Sequence, residues 1–479
     1  MAKEKFYITT TLPYVNAEPH VGFAMEIIEA DVLARFKRSQ GKEVFFNTGT
    51  DEHGLKLFRK AQELGMEVQD YVDQQAENFK KLKDVLNLSY DNFIRTTDQH
   101  HIAAAQEFWK RCEKAGDIYT KIYKVKYCVG CELEKTDSEL VDGKCPLHPG
   151  VELEIIEEEN HFFRFSKYQQ KLLDLYAENP GFVLPKNRLK EIKNFVAGGL
   201  EDFSISRLKE KMPWGIEVPG SPDHVMYVWF DALVNYVSAI GWPSDMEKFD
   251  AFWPVVQLAG KDNLRQQSAM WQAMLMSAKI SPSKQIFING FIIVGGQKMS
   301  KSVGNVIAPA EMVEKFGIDG TRYLLLSGGG NFGEDMDITW ERLTEKYNAD
   351  LANGLGNLVS RVVKLAENVE SLDLEEANQD VAEILGKEFA FFAETELLDQ
   401  ALPAIWSKIR NANIFIEDNK PWELAKTDEE NFKHIVRSLI AQLYVIAAML
   451  VPFMPETSAK IKTALETKKI EPLFQRIKM

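Results

Sequence analysis

The chain has 479 residues, of which 45% are hydrophobic, and a formal net charge of −14 at pH 7. This length suits about three domains of roughly 100 to 200 residues. The acidic balance argues against a uniformly basic coat for non-specific nucleic-acid binding, although local basic stretches occur at 185–195, at 207–214 and near the C-terminus.

The N-terminal segment "MAKEKFYITT" leads almost directly into a β-type run, with neither an apolar signal region nor an Arg-rich amphipathic stretch. The longest apolar run, 439–454, contains Gln442 and Pro452 and falls short of the ~20 clean residues of a membrane span. We therefore predict a cytoplasmic protein without a membrane segment, in which 439–454 is a buried helix.

Strands and helices alternate from residue 5 to about residue 116. The segments "FYITTTL" and "KEVFFNTGT" predict strands, and the apolar residues between Met25 and Phe36 recur every three or four positions, as in a helix. Such alternation is typical of an α/β domain with a parallel sheet. The alternation stops at 117–222 and resumes at 223–290, so we predict that 1–116 and 223–290 are two halves of one domain separated by an insertion.

A glycine-rich loop region occupies 291–340, and the sequence from 341 to 479 is helical in pattern. The loop "GGQKMSKSVGN" carries Lys298 and Lys301, which can neutralise the charge of a polyphosphate in a transition state. A second phosphate motif lies where "PYVNAEPHVG" leads into the first helix and brings His20 and Gly22 to the helix start. Anions bind favourably at such a start, and histidine can donate hydrogen bonds to phosphate.

The insertion contains two pairs of metal-binding residues, Cys128 with Cys131 and Cys145 with His148, each pair separated by two residues. This spacing suits tetrahedral zinc. Four protein ligands would leave no coordination position for a substrate, so we predict one structural zinc ion. The alternative is a set of reduced cysteines without metal.

The motifs "PYVNAEPHVG" and "KMSKS" resemble the two signatures of class I aminoacyl-tRNA synthetases, and "TGTDEHG", "YVWFDALVNY" and "GKDNLR" are similar to the methionyl family in particular. The resemblance covers nearly the whole chain. It implies a Rossmann-type catalytic domain, interrupted by a connective peptide with a zinc knuckle at about 126–150 and followed by a helical anticodon-binding domain. It also implies activation of L-methionine by Mg²⁺-ATP to methionyl-adenylate and pyrophosphate, and transfer of the methionyl group to the 3′-terminal ribose of tRNA(Met).

The resemblance also implies the residues of each site. His20, Lys298 and Lys301 would be catalytic, and ATP would bind to Gly22, Phe23, Lys298, Ser300, Lys301 and Ser302. Methionine needs a carboxylate for its ammonium group and an apolar wall for its thioether. The implied methionine site consists of Leu12, Tyr14, Asp51, Trp229, Ala232, Tyr236, Asp262, Gln267 and Trp271. The anticodon would contact Asn357, Arg361 and Trp422.

Two residues depart from the family pattern. Phe23 stands where the first signature normally has a second histidine, and Gln267 stands where the family commonly has a histidine. Because a phenyl ring cannot donate to phosphate, we expect His20, the backbone amides and the two loop lysines to bind the phosphates without it. For the aromatic residues, plain core packing is the alternative to a pocket role, most of all for Trp271.

The sequence alone is also compatible with two other functions. The departures allow a degenerate paralogue that binds RNA or nucleotide without aminoacylation. A class I synthetase for another amino acid is the second alternative, with cysteine the nearest by size, whereas the insertion is too short for the editing domain of the isoleucyl, valyl and leucyl relatives. The chain ends soon after the helical region, without the appended dimerisation domain of longer members, so we expect a monomer.

Overall fold

The computed structural model describes residues 3–135, 139–299, 304–329, 331–369, 394–469 and 471–478. The chain divides into two compact units, each assembled from several segments. The first unit comprises 1–19, 42–82 and 90–289, and the second comprises 20–41, 83–89 and 290–479. Ser300, Lys301 and Ser302 lie outside the described residues. The domain boundaries drawn from the sequence stay predictions.

A six-stranded parallel sheet forms the centre of the first unit. Its strands are β1 (Lys5–Thr9), β2 (Glu43–Thr50), β3 (Asn92–Arg95), β7 (Val183–Leu184), β12 (Val256–Gly260) and β13 (Gln285–Asn289), in the order β3-β2-β1-β12-β13-β7. The central strand β1 pairs with β2 on one side and with β12 on the other. Because β12 follows the insertion in the sequence, this pairing confirms the predicted fold class, an interrupted Rossmann-type domain.

Helices and a large aromatic core surround this sheet. Phe108 and Trp109, fully buried on one helix, pack against Phe230 at ring-centroid distances of 6.0 and 5.2 Å. The α-helices in the described residues of this part of the chain are Leu55–Leu64, Val68–Lys80, Leu82–Val85 (which crosses into the second unit), Gln99–Lys114, Gln169–Glu178, Lys186–Ala197, Val228–Leu233, Asn235–Ser238, Met246–Phe252 and Trp271–Ser277.

The insertion is built on a long antiparallel ribbon. Its two strands, β4 (Ile118–Cys128) and β6 (Glu154–Phe163), pair from Ile118 opposite Phe163 to Tyr127 opposite Glu154. They belong to a sheet with β5 (Leu133–Lys135) and β8 (Phe203–Ser204), and a second small sheet contains β9 (Ser206–Leu208), β10 (Glu217–Val218) and β11 (Ser221–Met226). The ribbon therefore carries the cysteine cluster at its far end, where β4 stops at Cys128.

The second unit is mainly helical, as predicted for the C-terminal region. Its helices are Val21–Ser39, Pro309–Phe316, Ile318–Ser327, Trp340–Lys346, Asn357–Ala366, Glu394–Asn419, Pro421–Thr427, Glu429–Leu450 and Pro455–Thr467, with a small sheet of β14 (Ile292–Val294), β15 (Gln297–Lys298) and β16 (Met336–Ile338). Among the described residues one helix, Glu429–Leu450, is long and apolar enough to cross a membrane. Because 61% of the most apolar stretch of this helix is buried inside the protein, it is a core helix, as the sequence predicted.

A buried ion pair joins three separate segments of the second unit. Arg322 and Asp31 are both fully buried, and their side chains lie 2.8 Å apart. The Arg322 guanidinium also donates to the carbonyl oxygens of Phe453, Pro452 and Leu86. Although burial opposes ionisation of Asp31, Arg322 and other donors hold the pKa of this carboxyl below its usual range. The pair therefore fastens the first helix, the 83–89 segment and the C-terminal helices to one another.

We expect Arg322→Met to lower the free energy of unfolding by about 3–5 kcal/mol, because it leaves the Asp31 carboxylate buried without its main counter-charge. The matched control is Arg342→Met, which removes a two-thirds exposed arginine that pairs with Asp337 and should cost less than about 1 kcal/mol. Urea unfolding followed by circular dichroism measures both. Equal losses in the two variants would contradict the structural role of Arg322.

Candidate functional site

The loops that follow β1 and β2 lie side by side at the carboxyl edge of the parallel sheet. Tyr14 and Asp51 form a parallel bridge: the Asp51 N–H donates to the Pro13 oxygen at 3.0 Å, and the Val15 N–H donates to the Asp51 oxygen at 3.2 Å. Ligands of open α/β sheets bind at this edge. The structure thus brings Tyr14 and Asp51, both predicted from the sequence, to one place.

The Asp51 carboxylate is buried without a full set of partners. The residue is 6% exposed, and its Oδ1 atom has no hydrogen-bond partner among the described residues. Burial, together with the nearby Asp231 carboxylate, raises the pKa of Asp51 well above its usual range. A buried, unsatisfied carboxylate of this kind is a suitable acceptor for a cationic ligand group.

A second buried aspartate lies close by in a contrasting environment. The Asp231 carboxylate forms hydrogen bonds with two histidines. Its oxygens lie 2.7 Å from His53 Nδ1 and 2.9 Å from His101 Nε2. Although its burial opposes ionisation, His53 and His101 hold the pKa of Asp231 below its usual range. No pattern in the sequence indicated this network, even though His53 and Asp231 lie within the motifs "TGTDEHG" and "YVWFDALVNY".

The predicted apolar wall comes mainly from one stretch of chain. Trp229 and Ala232 belong to the helix Val228–Leu233, and Trp229 is half-buried, with an Nε1 atom that has no partner in the described part of the chain. Tyr236 and Trp271 are fully buried, with ring centroids 5.8 Å apart. Because Trp271 also stacks on Phe108 at 5.4 Å, it is part of the hydrophobic core behind any pocket here.

The other predicted pocket residues differ in their surroundings. Leu12 is half-buried in the loop after β1, whereas Asp262 is exposed in the short turn after β12. Gln267 is 2% exposed, and its Oε1 atom accepts a hydrogen bond from Gln257 at 2.9 Å. The residue that replaces the family histidine is therefore held by a core glutamine.

The four ligand atoms of the cysteine cluster lie close enough together to hold one metal ion. The ligand atoms of Cys128, Cys131, Cys145 and His148 all lie within 4.8 Å of one another, close to the roughly 3.8 Å separation expected for sulfur ligands around zinc. The Cys131 sulfur is 3.5 Å from that of Cys145 and 3.1 Å from His148 Nδ1. Only glycine fits at position 130, because a β-carbon there would lie 2.6 Å from the His148 ring.

In the second unit, the helix start that carries His20 lies beside the lysine loop. The Val21 N–H donates to the Ile307 oxygen at 3.1 Å, and a β-carbon built on Gly22 would lie 3.6 Å from the terminal methyl of Met299. Such a β-carbon would also lie 2.8 Å from the His20 ring, so glycine lets the imidazole cover the first turn. The two phosphate motifs predicted from the sequence are thus neighbours.

His20 caps the helix that follows it. Its Nδ1 atom accepts a hydrogen bond from the Gly22 N–H at 3.1 Å, and the Phe23 N–H donates to the His20 oxygen. The first backbone amides therefore already have partners, and phosphate binding at them would require these bonds to exchange. A neutral imidazole that accepts at Nδ1 carries its proton on Nε2, which is the kind of donor that phosphate needs.

The described part of the loop holds Lys298 at the end of β15. Its side chain is exposed, and the ammonium lies 4.5 Å from the centre of the Phe291 ring. The Asn305 side chain donates to the Lys298 backbone oxygen at 3.3 Å. The predicted ATP residues Ser300, Lys301 and Ser302 remain outside the described range.

The three residues predicted to contact RNA share one surface of the second unit. Asn357 and Arg361 lie one turn apart on the same helix, and the Arg361 guanidinium lies 5.8 Å from the centre of the Trp422 ring. Trp422 is 43% exposed, and Arg361 also pairs with Glu417 at 2.8 Å. Asn357 lines a groove of about 370 Å³ with Asn353, Ser360 and Phe474 among its walls. An exposed indole beside a guanidinium and amides suits unstacked RNA bases.

Comparison with known proteins agrees with this arrangement. The model of the family "tRNA synthetases class I (M)" matches residues 6–152 and 148–363, and that of the family "Anticodon binding domain of methionyl tRNA ligase" matches residues 364–475.

Individual relatives match over nearly the whole of this chain. The methionine–tRNA ligase of Brucella suis is 40% identical over 474 residues, which cover 96% of this chain and 92% of the relative. That of Thermotoga maritima is 41% identical over 95% of this chain and 74% of the relative. The solved Mycobacterium tuberculosis methionyl-tRNA synthetase in complex with methionyl-adenylate superposes with a TM-score of 0.87 at 39% identity, covering 96% of this chain and 93% of that one.

The cluster geometry predicts that the purified chain carries one zinc ion, and that Cys131→Ser loses most of it, because removal of one thiolate opens the coordination shell. Cys112→Ser is the matched control, since Cys112 is a buried cysteine that does not belong to the cluster. Elemental analysis by mass spectrometry after dialysis measures zinc per chain. A folded, metal-free wild type, or full zinc content in Cys131→Ser, would contradict the prediction.

Proposed function

Because the chain belongs to the methionyl family of class I tRNA synthetases, we propose that its residues carry out the two steps of a methionine–tRNA ligase. In the first step the methionine carboxylate attacks the α-phosphate of ATP and forms methionyl-adenylate, with pyrophosphate as the leaving group. In the second step the 3′-terminal ribose of tRNA(Met) takes the methionyl group and AMP departs. The observation that carries the proposal is the buried, half-satisfied Asp51 carboxylate beside Tyr14.

Asp51 would bind the ammonium group of methionine. Its Oδ1 atom lacks a partner among the described residues, and a bound cation would favour the ionised carboxylate that burial disfavours. The half-buried Leu12, Tyr14 and Trp229 would contact the substrate, together with Ala232, and the fully buried Tyr236 and Trp271 would support them from behind. Gln267 and the exposed Asp262 are proposed as the polar members of this site.

The phosphates of ATP would bind in the second unit. His20 would donate through Nε2, and Lys298 and Lys301 would neutralise the charge that develops on the departing pyrophosphate. Gly22 would allow the His20 imidazole to lie over the first turn, while Ser300 and Ser302 would complete the ATP contacts. Phe23 would line the site without a hydrogen bond. Magnesium bound to ATP would supply further charge neutralisation during attack at the α-phosphate.

The surface of Asn357, Arg361 and Trp422 would recognise the CAU anticodon. Its exposed indole can stack on a base, and the neighbouring guanidinium and amide can read base edges. The cysteine cluster would hold one structural zinc ion, since all four positions come from protein side chains. We propose that the enzyme acts as a monomer in the cytoplasm. The four free cysteines agree with that compartment.

Methionine-dependent exchange between ATP and pyrophosphate tests the first step. Asp51→Asn should lower kcat/KM for methionine by about 30-fold or more, because loss of one partner of a desolvated charge pair costs about 2–5 kcal/mol. The urea midpoint of this variant at pH 7 should be unchanged or higher than that of the wild type. A carboxyl group whose pKa is raised in the folded state opposes folding at any pH above its unfolded pKa of about 3.9, and the substitution removes this penalty.

The matched control for this test is Asp250→Asn, which changes an exposed aspartate on the helix Met246–Phe252 and should retain wild-type exchange. Lys301→Ala defines the background rate. If wild-type exchange does not exceed that of Lys301→Ala, the chain is a degenerate relative rather than an active ligase. If exchange is strong but Asp51→Asn keeps it, the ammonium assignment is wrong.

Aminoacylation tests the RNA surface separately. Trp422→Ala should lower kcat/KM for tRNA(Met), because stacking on an aromatic ring contributes about 1–3 kcal/mol per base, which corresponds to about 5- to 150-fold. Leu64→Ala, which truncates an exposed apolar side chain in the first unit, is the control. Equal tRNA kinetics for the two variants would refute the anticodon assignment.

A further inference from the structure

Glu132 occupies an unusual position directly after the metal ligand Cys131. It is 5% exposed, and its backbone φ of 50° lies in the left-handed region that non-glycine residues rarely adopt. A buried carboxylate in such a conformation persists only where the surrounding structure holds it. Glu132 belongs to none of the residue sets proposed for ATP, methionine, the anticodon or the metal ion.

The Glu132 side chain links the end of the ribbon to the sheet edge. Its Oε1 atom accepts hydrogen bonds from the Tyr14 hydroxyl at 3.2 Å and from the Lys56 N–H at 2.8 Å. Its Oε2 atom accepts a hydrogen bond from the hydroxyl of Tyr127, the residue before Cys128. The backbone oxygen of Glu132 accepts from Tyr227. One residue therefore contacts the base of the cysteine cluster and two segments of the predicted methionine site.

The contacts on the sheet side fix Tyr14 closely. Gly54 lies so near that a β-carbon built on it would be 2.6 Å from the Tyr14 hydroxyl and 3.6 Å from Glu132 Oε1. Lys56 is in the first turn of the helix Leu55–Leu64, which begins four residues after Asp51. The Glu132 carboxylate thus ties the Tyr14 hydroxyl to the loop that carries Asp51.

We propose that Glu132 is a positioning residue for methionine, which holds Tyr14 and the Asp51 loop in the geometry that binds the amino acid and connects them to the cysteine cluster. The inference rests on the proposed function, because it assigns Glu132 to the methionine site of that reaction. If Glu132 had a purely structural role instead, removal of its carboxylate would lower the stability of the protein and change KM for methionine and for ATP equally. It also predicts that Glu132 acts through Tyr14.

The test measures KM for methionine and for ATP separately in the exchange assay. Glu132→Gln should raise KM for methionine about tenfold, the size expected for loss of a charge-assisted hydrogen bond, and should change KM for ATP by less than about twofold. Tyr14→Phe should raise KM for methionine similarly, and the double variant should be no worse than either single one, since the two residues act as a unit. Glu132→Ala removes the whole carboxylate group and should raise KM for methionine further, provided that circular dichroism shows that this variant folds.

Glu154→Gln is the matched control, because it neutralises a carboxylate on the same ribbon that pairs with Arg59 on the surface; it should behave as the wild type. Zinc content should be unchanged in Glu132→Gln. Equal changes in both KM values, or additive effects of Glu132→Gln and Tyr14→Phe, would overturn the inference while the ligase assignment stands. A wild type without methionine-dependent exchange would overturn the proposed function and this inference together.

Discussion

The buried pair of Arg322 and Asp31 is the contact on which the second unit depends. The Arg322 guanidinium is fully buried. It binds one carboxylate and donates hydrogen bonds to three backbone oxygens from different parts of the chain. Without it, the first helix would bury Asp31 with only Arg35 as a counter-charge. The same helix begins at Val21, whose N–H donates to the Ile307 oxygen of the loop region, so the ion pair and the contact between the two phosphate motifs lie on one helix.

The first unit uses buried charge in a different way. Asp231 forms hydrogen bonds with His53 and His101, which hold its pKa below the usual range, whereas the neighbouring Asp51 has an unpartnered oxygen among the described residues and a raised pKa. The two neighbouring aspartates therefore have pKa values shifted in opposite directions by their surroundings, which is the pattern expected where buried carboxylates have different roles. Glu132 adds a third buried carboxylate, which is satisfied mainly by hydroxyl and amide donors.

What could be predicted from the sequence followed from local patterns. The period of the apolar residues predicts the helix Val21–Ser39, and the cysteine spacing predicts the cluster, because its ligands are near one another in the chain. Asp231 could not be matched to its histidines, which lie 178 and 130 residues away, and neither could Arg322. The capping role of His20 depends on the ring conformation, and the stacking of Trp271 on Phe108 depends on tertiary packing, so a motif alone cannot decide either.

The interleaving of the two units has a consequence for biosynthesis. Arg322 follows Leu86 by 236 residues, and at a translation rate of about 5–20 residues per second the ribosome needs on the order of 10 to 50 seconds to supply it. During that interval the nascent first helix, with its apolar face and Asp31, has no partner from the later half of the chain. The helix can therefore reach its final packing only after the segment that carries the arginine has been synthesised.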